Sequence, residues 1–247
     1  MEVKPTSKDK RVAQGLGTRE ALITAAREMF GAQGYAATST EEIVERAGVT
    51  KGALYHHFAD KERLFRAVFE QVQQEVSDQA VIEFLQPDSW DALVVGCRLW
   101  VEAHADPAVR QIVLIDARVV LGWETARLIE TRFSTVALRG ALRKAMHAGV
   151  IRREPLRPLA LMLIGALSEA CLYLAEADDP VAAKAEIGEL IVSLLCGMRV
   201  SPDEPAEVAG RAEVVGTAEI ADTAAESADT AAEIADTAAE TADTAAE

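Results

Sequence analysis

The chain has 247 residues, half of them apolar but only 5% aromatic, and a formal net charge of −15. That length can hold a small domain and a larger one with ample core, and an Ala- and Leu-rich, aromatic-poor composition suits packed helices better than sheets. From Ser201 onward there are 13 acidic residues against Arg211 alone, so this end carries −12 and the preceding 200 residues only −3; the acidity therefore does not exclude a local basic surface.

The apolar runs fall short of the roughly 18 to 20 residues that span a bilayer. Met1 to Gln14 is polar and lacks the apolar stretch of an export signal, which predicts a cytoplasmic protein without a membrane partner. Cys97, Cys171 and Cys196 are odd in number, far apart and set in apolar helical contexts. They make neither a disulfide framework nor a metal-ligand spacing, and buried reduced thiols are expected; a redox sensor would need an exposed, electropositive thiol.

Residues 1–17 read as a flexible basic arm, with Lys4, Lys8, Lys10 and Arg11. Thr18 offers an N-cap, and Leu22, Ile23, Ala26, Met29 and Phe30 fall on one face of a first helix ending near Gly34. Ser39 and Glu42 have the spacing of a capping box, which starts a second helix at Ser39 or Thr40. Gly48 ends it and Thr50 caps a third. This is the sequence form of a helix-turn-helix, whose second helix enters the DNA major groove. Asp60 opens a long fourth helix, with Leu64, Phe65, Val68, Phe69, Val72 and Val76 at helical spacing.

Beyond Pro87 the pattern stays helical. Segments run over 89–105, broken at Asp106-Pro107, then 109–121, broken at Gly122, then 124–147, ended by Gly149. Leu159 to Ala177 is nearly apolar all round, and Pro180 opens a last helix reaching about Arg199. Residues 219–246 are four seven-residue units of the type Glu-Ile-Ala-Asp-Thr-Ala-Ala. A coiled coil needs two bulky apolar positions per heptad, and here Ile220 and Ile234 alternate with Ser227 and Thr241. The composition predicts a disordered acidic tail over 201–247; a weak Ala-rich helix, or an acidic arm competing with DNA, are the other readings.

The segment Thr18–Val72 resembles the DNA-binding domain of the tetracycline-repressor (TetR) family of bacterial transcription regulators. The resemblance rests on Ala25-Ala26, Phe30 with Gly34-Tyr35, Ser39-Thr40 with Ile43, Ala47-Gly48-Val49, Thr50-Lys51-Gly52, Leu54-Tyr55, His57-Phe58, and Asp60-Lys61-Glu62 with Leu64. It implies an all-α protein: a three-helix DNA-binding domain (18–72), then a larger helical ligand-binding and dimerisation domain (73–200). It also implies a dimeric repressor released from a palindromic operator by a small-molecule effector. The other reading is a ligand-independent regulator acting constitutively or through protein partners.

The candidate DNA contacts are Ser39, Thr40, Thr50, Lys51, Gly52, Ala53, Tyr55, His56 and Lys61. Thr40 stands at a helix N-terminus, where a hydroxyl and free N–H groups suit a phosphate. Thr50 to Ala53 form the first turn of the reading helix, with Lys51 able to donate to guanine O6 and N7. Gly52 permits close backbone approach, and Ala53 stands where the family often has a hydroxyl residue. Tyr55 and His56 would face the sugar-phosphate backbone, although Tyr55 could instead pack. Lys61 resembles the family's phosphate-contacting lysine; a solvated lysine is the alternative. His56 and His57 diverge by about 100 degrees round a helix and rarely chelate one ion, so no metal is expected and His57 is expected to pack inside.

Trp100, His104, Arg118, Trp123, Arg127 and Glu169 are polar or aromatic groups on mainly apolar helices, where an effector pocket would draw its orienting contacts. The last two helices, with Gly165, Ala166, Ala170 and Gly188 permitting close approach, are the expected homodimer surface. Neither a Ser-His-Asp set, paired carboxylates nor a metal-ligand arrangement is evident, so an enzyme is not expected and no cofactor is assigned.

Overall fold

The computed structural model describes residues 7–84, 86 and 88–200. Its elements are helical: α1 (Ser7–Ala37), α2 (Thr40–Ala47), α3 (Lys51–His57), α4 (Lys61–Phe84), α5 (Ser89–Ala105), α6 (Pro107–Arg110), α7 (Ala117–Val120), α8 (Gly122–Glu130), α9 (Val136–His147), α10 (Leu156–Glu176) and α11 (Pro180–Cys196). Strand pairing among the described residues is limited to one isolated antiparallel bridge, Ile151 with Arg199.

Helix α1 begins at Ser7 rather than Thr18, so residues 7–17 continue the helix instead of forming a loose arm. Once the downstream turns exist, extension needs no new nucleus, and Lys, Arg, Gln and Ala propagate a helix well. The path leaves helical geometry at Gly34 (φ 81°, ψ 165°), where the chain turns toward α2. Only glycine takes that conformation at low cost.

The head is built around aromatic contacts. Phe30 and Phe65 meet at 5.3 Å, and Tyr35 closes on Phe65 at 5.2 Å, both edge to face. Phe30, Leu64, Phe65 and Phe69 are fully buried, each stabilising the fold by roughly 1.5–3 kcal/mol through removal of apolar surface from water. Arg27 of α1 pairs with Glu75 of α4 at 2.6 Å, fastening the same two helices at their margin. Beyond the head, α4 runs on into the body and packs on α5 and α9, while α10 and α11 flank α5. One contiguous apolar core extends from Leu22 to Leu195.

The expected breaks at Asp106-Pro107 and Gly122 are present, with Asp106 capping α6 through the Ala108 and Val109 N–H groups. Two π-helical turns are additional. Gln111–Asp116 joins α6 to α7, and Thr131–Thr135 joins α8 to α9. A π turn lengthens the hydrogen-bonded ring by one residue, a change in backbone pairing that no residue type in either segment marks. Helix α10 starts at Leu156, a turn earlier than expected, because a first-turn proline such as Pro158 costs little.

Helix α10 is also long and apolar enough to cross a bilayer by length and composition, against the expectation that no segment would be. Here it is a bundle helix that packs on α5, α9 and α11 and leaves one apolar face uncovered. The thiols differ from expectation too. Cys97 and Cys171 are buried, and burial pushes both up to about 12, but Cys196 is exposed. Ala183, Ile187, Ile191 and Leu195 hold the core face of α11, which turns the next residue outward. The acidic repeats of 201–247 lie outside the described residues.

Candidate nucleic-acid interface and inner cavity

The helix-turn-helix is fixed by capping chemistry. The Ser39 hydroxyl accepts the Glu42 N–H at 3.2 Å while the Glu42 carboxylate accepts the Ser39 N–H at 2.8 Å, the reciprocal capping box. Gly48 ends α2 in the left-handed region (φ 66°), letting its own N–H reach Glu45 O and that of Val49 reach Val44 O at 3.0 Å. Two residues on, the Thr50 hydroxyl accepts the Ala53 N–H at 3.1 Å and starts α3. Ile43, Leu54 and Phe58 are buried and lock the two helices, with Val49 half-buried between them.

What remains outside α3 is a short polar face. Thr50, Lys51, Gly52, Tyr55 and His56 are exposed, and Ala53 is half-buried. Ser39 and Thr40 are half-buried at the start of α2, where the Thr40 hydroxyl donates to Glu41 at 3.0 Å. The Lys51 ammonium is held by the Glu41 carboxylate and lies 6.0 Å over the Tyr55 ring. This pairing holds Glu41 down at about 2 and raises Lys51. Lys61 is half-buried, its ammonium 4.0 Å over the Tyr35 ring; burial lowers its pKa, with Asp116 and Glu42 opposing. His57 is half-buried, edge to face with His56 at 5.1 Å, and burial lowers it. Among the described residues no His, Cys, Asp or Glu side chains gather as a metal-ligand set.

The head meets the body through α1. A Cβ placed on Gly31 would lie 2.5 Å from the Ala108 Cβ, so α1 and α6 touch nearly backbone to backbone. Four residues on, the Tyr35 N–H donates to Asp116 of the first π turn at 2.8 Å. Glu41, Gly31 and Asp116 were not singled out in the sequence. A lone carboxylate in the apolar run Ile112 to Ala117 is the signal that could have found Asp116.

The six body residues proposed for effector contact separate into three places. Trp100 and His104 are buried on α5, their rings stacked at 3.7 Å. Arg118 and Arg127 flank the Trp123 ring at 4.8 and 5.9 Å, and Trp123 is 58% exposed, so these three form a surface cluster near Gly122. Glu169 is exposed on α10. Trp100 contributes to the wall of an apolar cavity of about 20 Å³ between α4, α5, α9 and α10, together with Ser77, Cys97, Ser134, Leu138 and Leu167. At the second π turn, Ser134 donates to Gln73 of α4 at 2.9 Å and Ser77 donates to Phe133 O at 3.3 Å.

The His104 ring is tuned by its surroundings. Its Nδ1 lies 2.8 Å from the Trp100 carbonyl oxygen, which can only accept, so Nδ1 carries the proton and Nε2 is a bare acceptor. Burial depresses the ring to about 4. Both His104 Nε2 and the Trp100 Nε1–H are buried without a hydrogen-bond partner.

A capped helix-turn-helix with an exposed reading turn, carried on a helical body, defines a DNA-binding transcription regulator. The family model for bacterial regulatory proteins of the tetR family matches residues 22–68, and that for the tetracyclin repressor-like C-terminal domain matches 90–198. A solved TetR-family transcriptional regulator from Pectobacterium atrosepticum superposes with a TM-score of 0.65 at 33% identity, covering 77% of this chain and 98% of that one. The transcriptional repressor BepR of Brucella suis is 32% identical over 152 residues, 58% of this chain and 72% of BepR. The transposon Tn10 TetC protein of Escherichia coli is 26% identical over 55% of this chain and 68% of TetC. The chain belongs to the TetR family.

Proposed function

We propose that the chain is a dimeric cytoplasmic repressor that binds a palindromic operator and is released from it by a small molecule. Lys51, the Gly52 backbone and Ala53 read base edges from the start of α3, while Ser39, Thr40, Thr50, Tyr55, His56 and Lys61 position the helix on phosphates. Two such helices must meet half-sites about 34–36 Å apart, so a second copy is required. The observation that carries this reading is the pairing of that exposed face with an unpartnered apolar surface at the other end of the chain. On α10, Met162, Gly165, Ala166, Glu169 and Tyr173 are exposed along one stripe, and on α11 so are Leu190 and Leu194. A contiguous apolar face of this kind marks a protein–protein surface.

Selection of binding sites from random duplex DNA, with sedimentation of the free and bound protein, tests the proposal. Two inverted half-sites and a dimer are expected. A monomer on a single unrepeated site would overturn it, and Met162→Glu should give monomers with sharply weaker operator binding.

The ligand-independent reading draws support from one observation. A cavity of about 20 Å³ has room for about one water molecule, so the core of the body is nearly filled by its own side chains. A screen of small molecules for thermal stabilisation and for operator release separates the two: a chain that no compound stabilises or releases is a constitutive regulator.

A further inference from the structure

A strongly basic stretch lies far from the reading helix. Residues 141–158 carry Arg143, Lys144, Arg152, Arg153 and Arg157 against Glu154 alone, although the first 200 residues sum to −3. Arg153 and Arg157 are exposed, as is Arg199, and Arg143 and Lys144 are half-buried at the end of α9. The Ile151–Arg199 bridge brings the turn after α9 beside the end of the body. There Arg199 stands 4.6 Å over the Trp90 ring and acts on Asp88, the cap of α5. Lys144 donates to Gln86 O, just past the end of α4. Helix α4 starts in the head and its 24 residues span about 36 Å, so contacts between the head and an operator do not account for this charge.

The same chain carries a matching polyanion. Two residues after Arg199 begins the segment 201–247, with 13 acidic residues against Arg211 alone. From Glu219, Asp222 and Glu226 to Glu247, nine carboxylates follow at spacings that alternate between three and four residues. That is the period of one helix face, on which like charges repel each other unless cations lie against them.

Two surfaces of the described chain compete for such a segment. At the head, α2 exposes Glu41, Glu42 and Glu45 beside the reading helix, and Lys51 is already held by Glu41. The basic end of the body offers more cations and fewer carboxylates, and the tether starts there. A tethered ligand is most concentrated close to its point of attachment.

We propose that the acidic segment 219–247 docks on the basic end of its own body, over Arg143, Arg153, Arg157 and Arg199, and shields that surface from DNA. A bare basic surface attracts duplex DNA whatever its sequence. The docked segment confines DNA binding to the head.

The first test is cleavage of the native full-length chain by a glutamyl endopeptidase, with the acidic segment followed by mass. Joint replacement Arg153→Gln, Arg157→Gln and Arg199→Gln is expected to speed cleavage within 219–247 about three- to tenfold, because three exposed ion pairs are individually weak. One molar salt should do the same to the wild type. Lysine at the three positions keeps the charge and should keep the protection. Equal cleavage of the wild type and the glutamine variant overturns the proposal.

The second test measures binding of a non-operator duplex by fluorescence anisotropy. Replacing the nine carboxylates of 219–247 by their amides is expected to tighten binding about tenfold in the full-length chain. Adding the three glutamine substitutions should abolish that gain. A gain that persists in the combined variant places the acidic segment over the head instead and overturns the proposal, as does the absence of any gain.

Discussion

The Asp116 carboxylate accepts the Tyr35 backbone N–H at 2.8 Å across 81 residues of sequence. The bond has a local cause. Helix α1 is broken at Gly34, so the N–H that follows has no partner within its own helix. Asp116 of the first π turn supplies one and thereby ties the head to the body. Asp116→Ala is predicted to cost about 1–3 kcal/mol, the usual consequence of stranding a partly buried donor. Urea unfolding gives the loss, and amide exchange at Tyr35 should rise by more than the global change; equal protection there would mean the bond is replaced.

Lys51 cannot hold Glu41 and a guanine edge with the same geometry. If Lys51 reads the operator as proposed, the carboxylate is an internal competitor of DNA, and as an exposed ion pair it is worth only about 0.2–1 kcal/mol. Glu41→Gln is predicted to tighten operator binding by roughly two- to fivefold. Lys51→Ala is predicted to weaken it by about 1–3 kcal/mol with the fold intact. Fluorescence anisotropy at matched salt measures both. A loss of affinity in Glu41→Gln would show that the carboxylate aims Lys51 rather than restrains it.

At Gly31 two local rules oppose each other. Alanine is the better helix former by about 1 kcal/mol, yet its Cβ would stand 2.5 Å from the Ala108 Cβ. Overpacking against a backbone-close neighbour costs about 1–3 kcal/mol, so Gly31→Ala is predicted to destabilise the protein. Ala108→Gly in the same chain should recover most of the loss. Chemical denaturation of the two single variants and the double variant checks this, and strictly additive losses would refute the contact.

His104 makes stability depend on pH. Folded, the ring titrates at about 4; unfolded, at about 6.5. Between these values the unfolded chain binds the extra proton, so stability rises with pH. The contribution is complete above about pH 6.5 and is lost as pH falls toward 4, with a size on the order of 3 kcal/mol. Unfolding free energies of the wild type and His104→Leu from pH 7.5 to 4 isolate it. The difference between the two curves should change across that window and nowhere above it.

The helix-turn-helix was legible because each of its boundaries is written in a local residue: Ser39, Gly48, Thr50 and Asp60 act through hydrogen bonds three or four residues away. The apolar faces of α4 and α5 were equally legible from spacing. What escaped was set by contacts between distant segments. Glu41 finds Lys51 only when α2 and α3 are folded against each other, and Gly31 finds Ala108 only when head meets body. The proposed effector residues show the same limit. Each is polar or aromatic on an apolar helix, but no spacing tells that Trp100 and His104 turn inward while Trp123 and Glu169 turn outward.

The unequal burial of the three thiols has a practical consequence. With Cys97 and Cys171 sealed and protonated at neutral pH, a maleimide or methanethiosulfonate reagent has one target, Cys196 at the end of α11. The natural chain thus accepts one spin label or fluorophore per protomer without an engineered cysteine. In an assembled pair the distance between the two labels becomes a direct ruler for how the copies are arranged, readable with and without DNA.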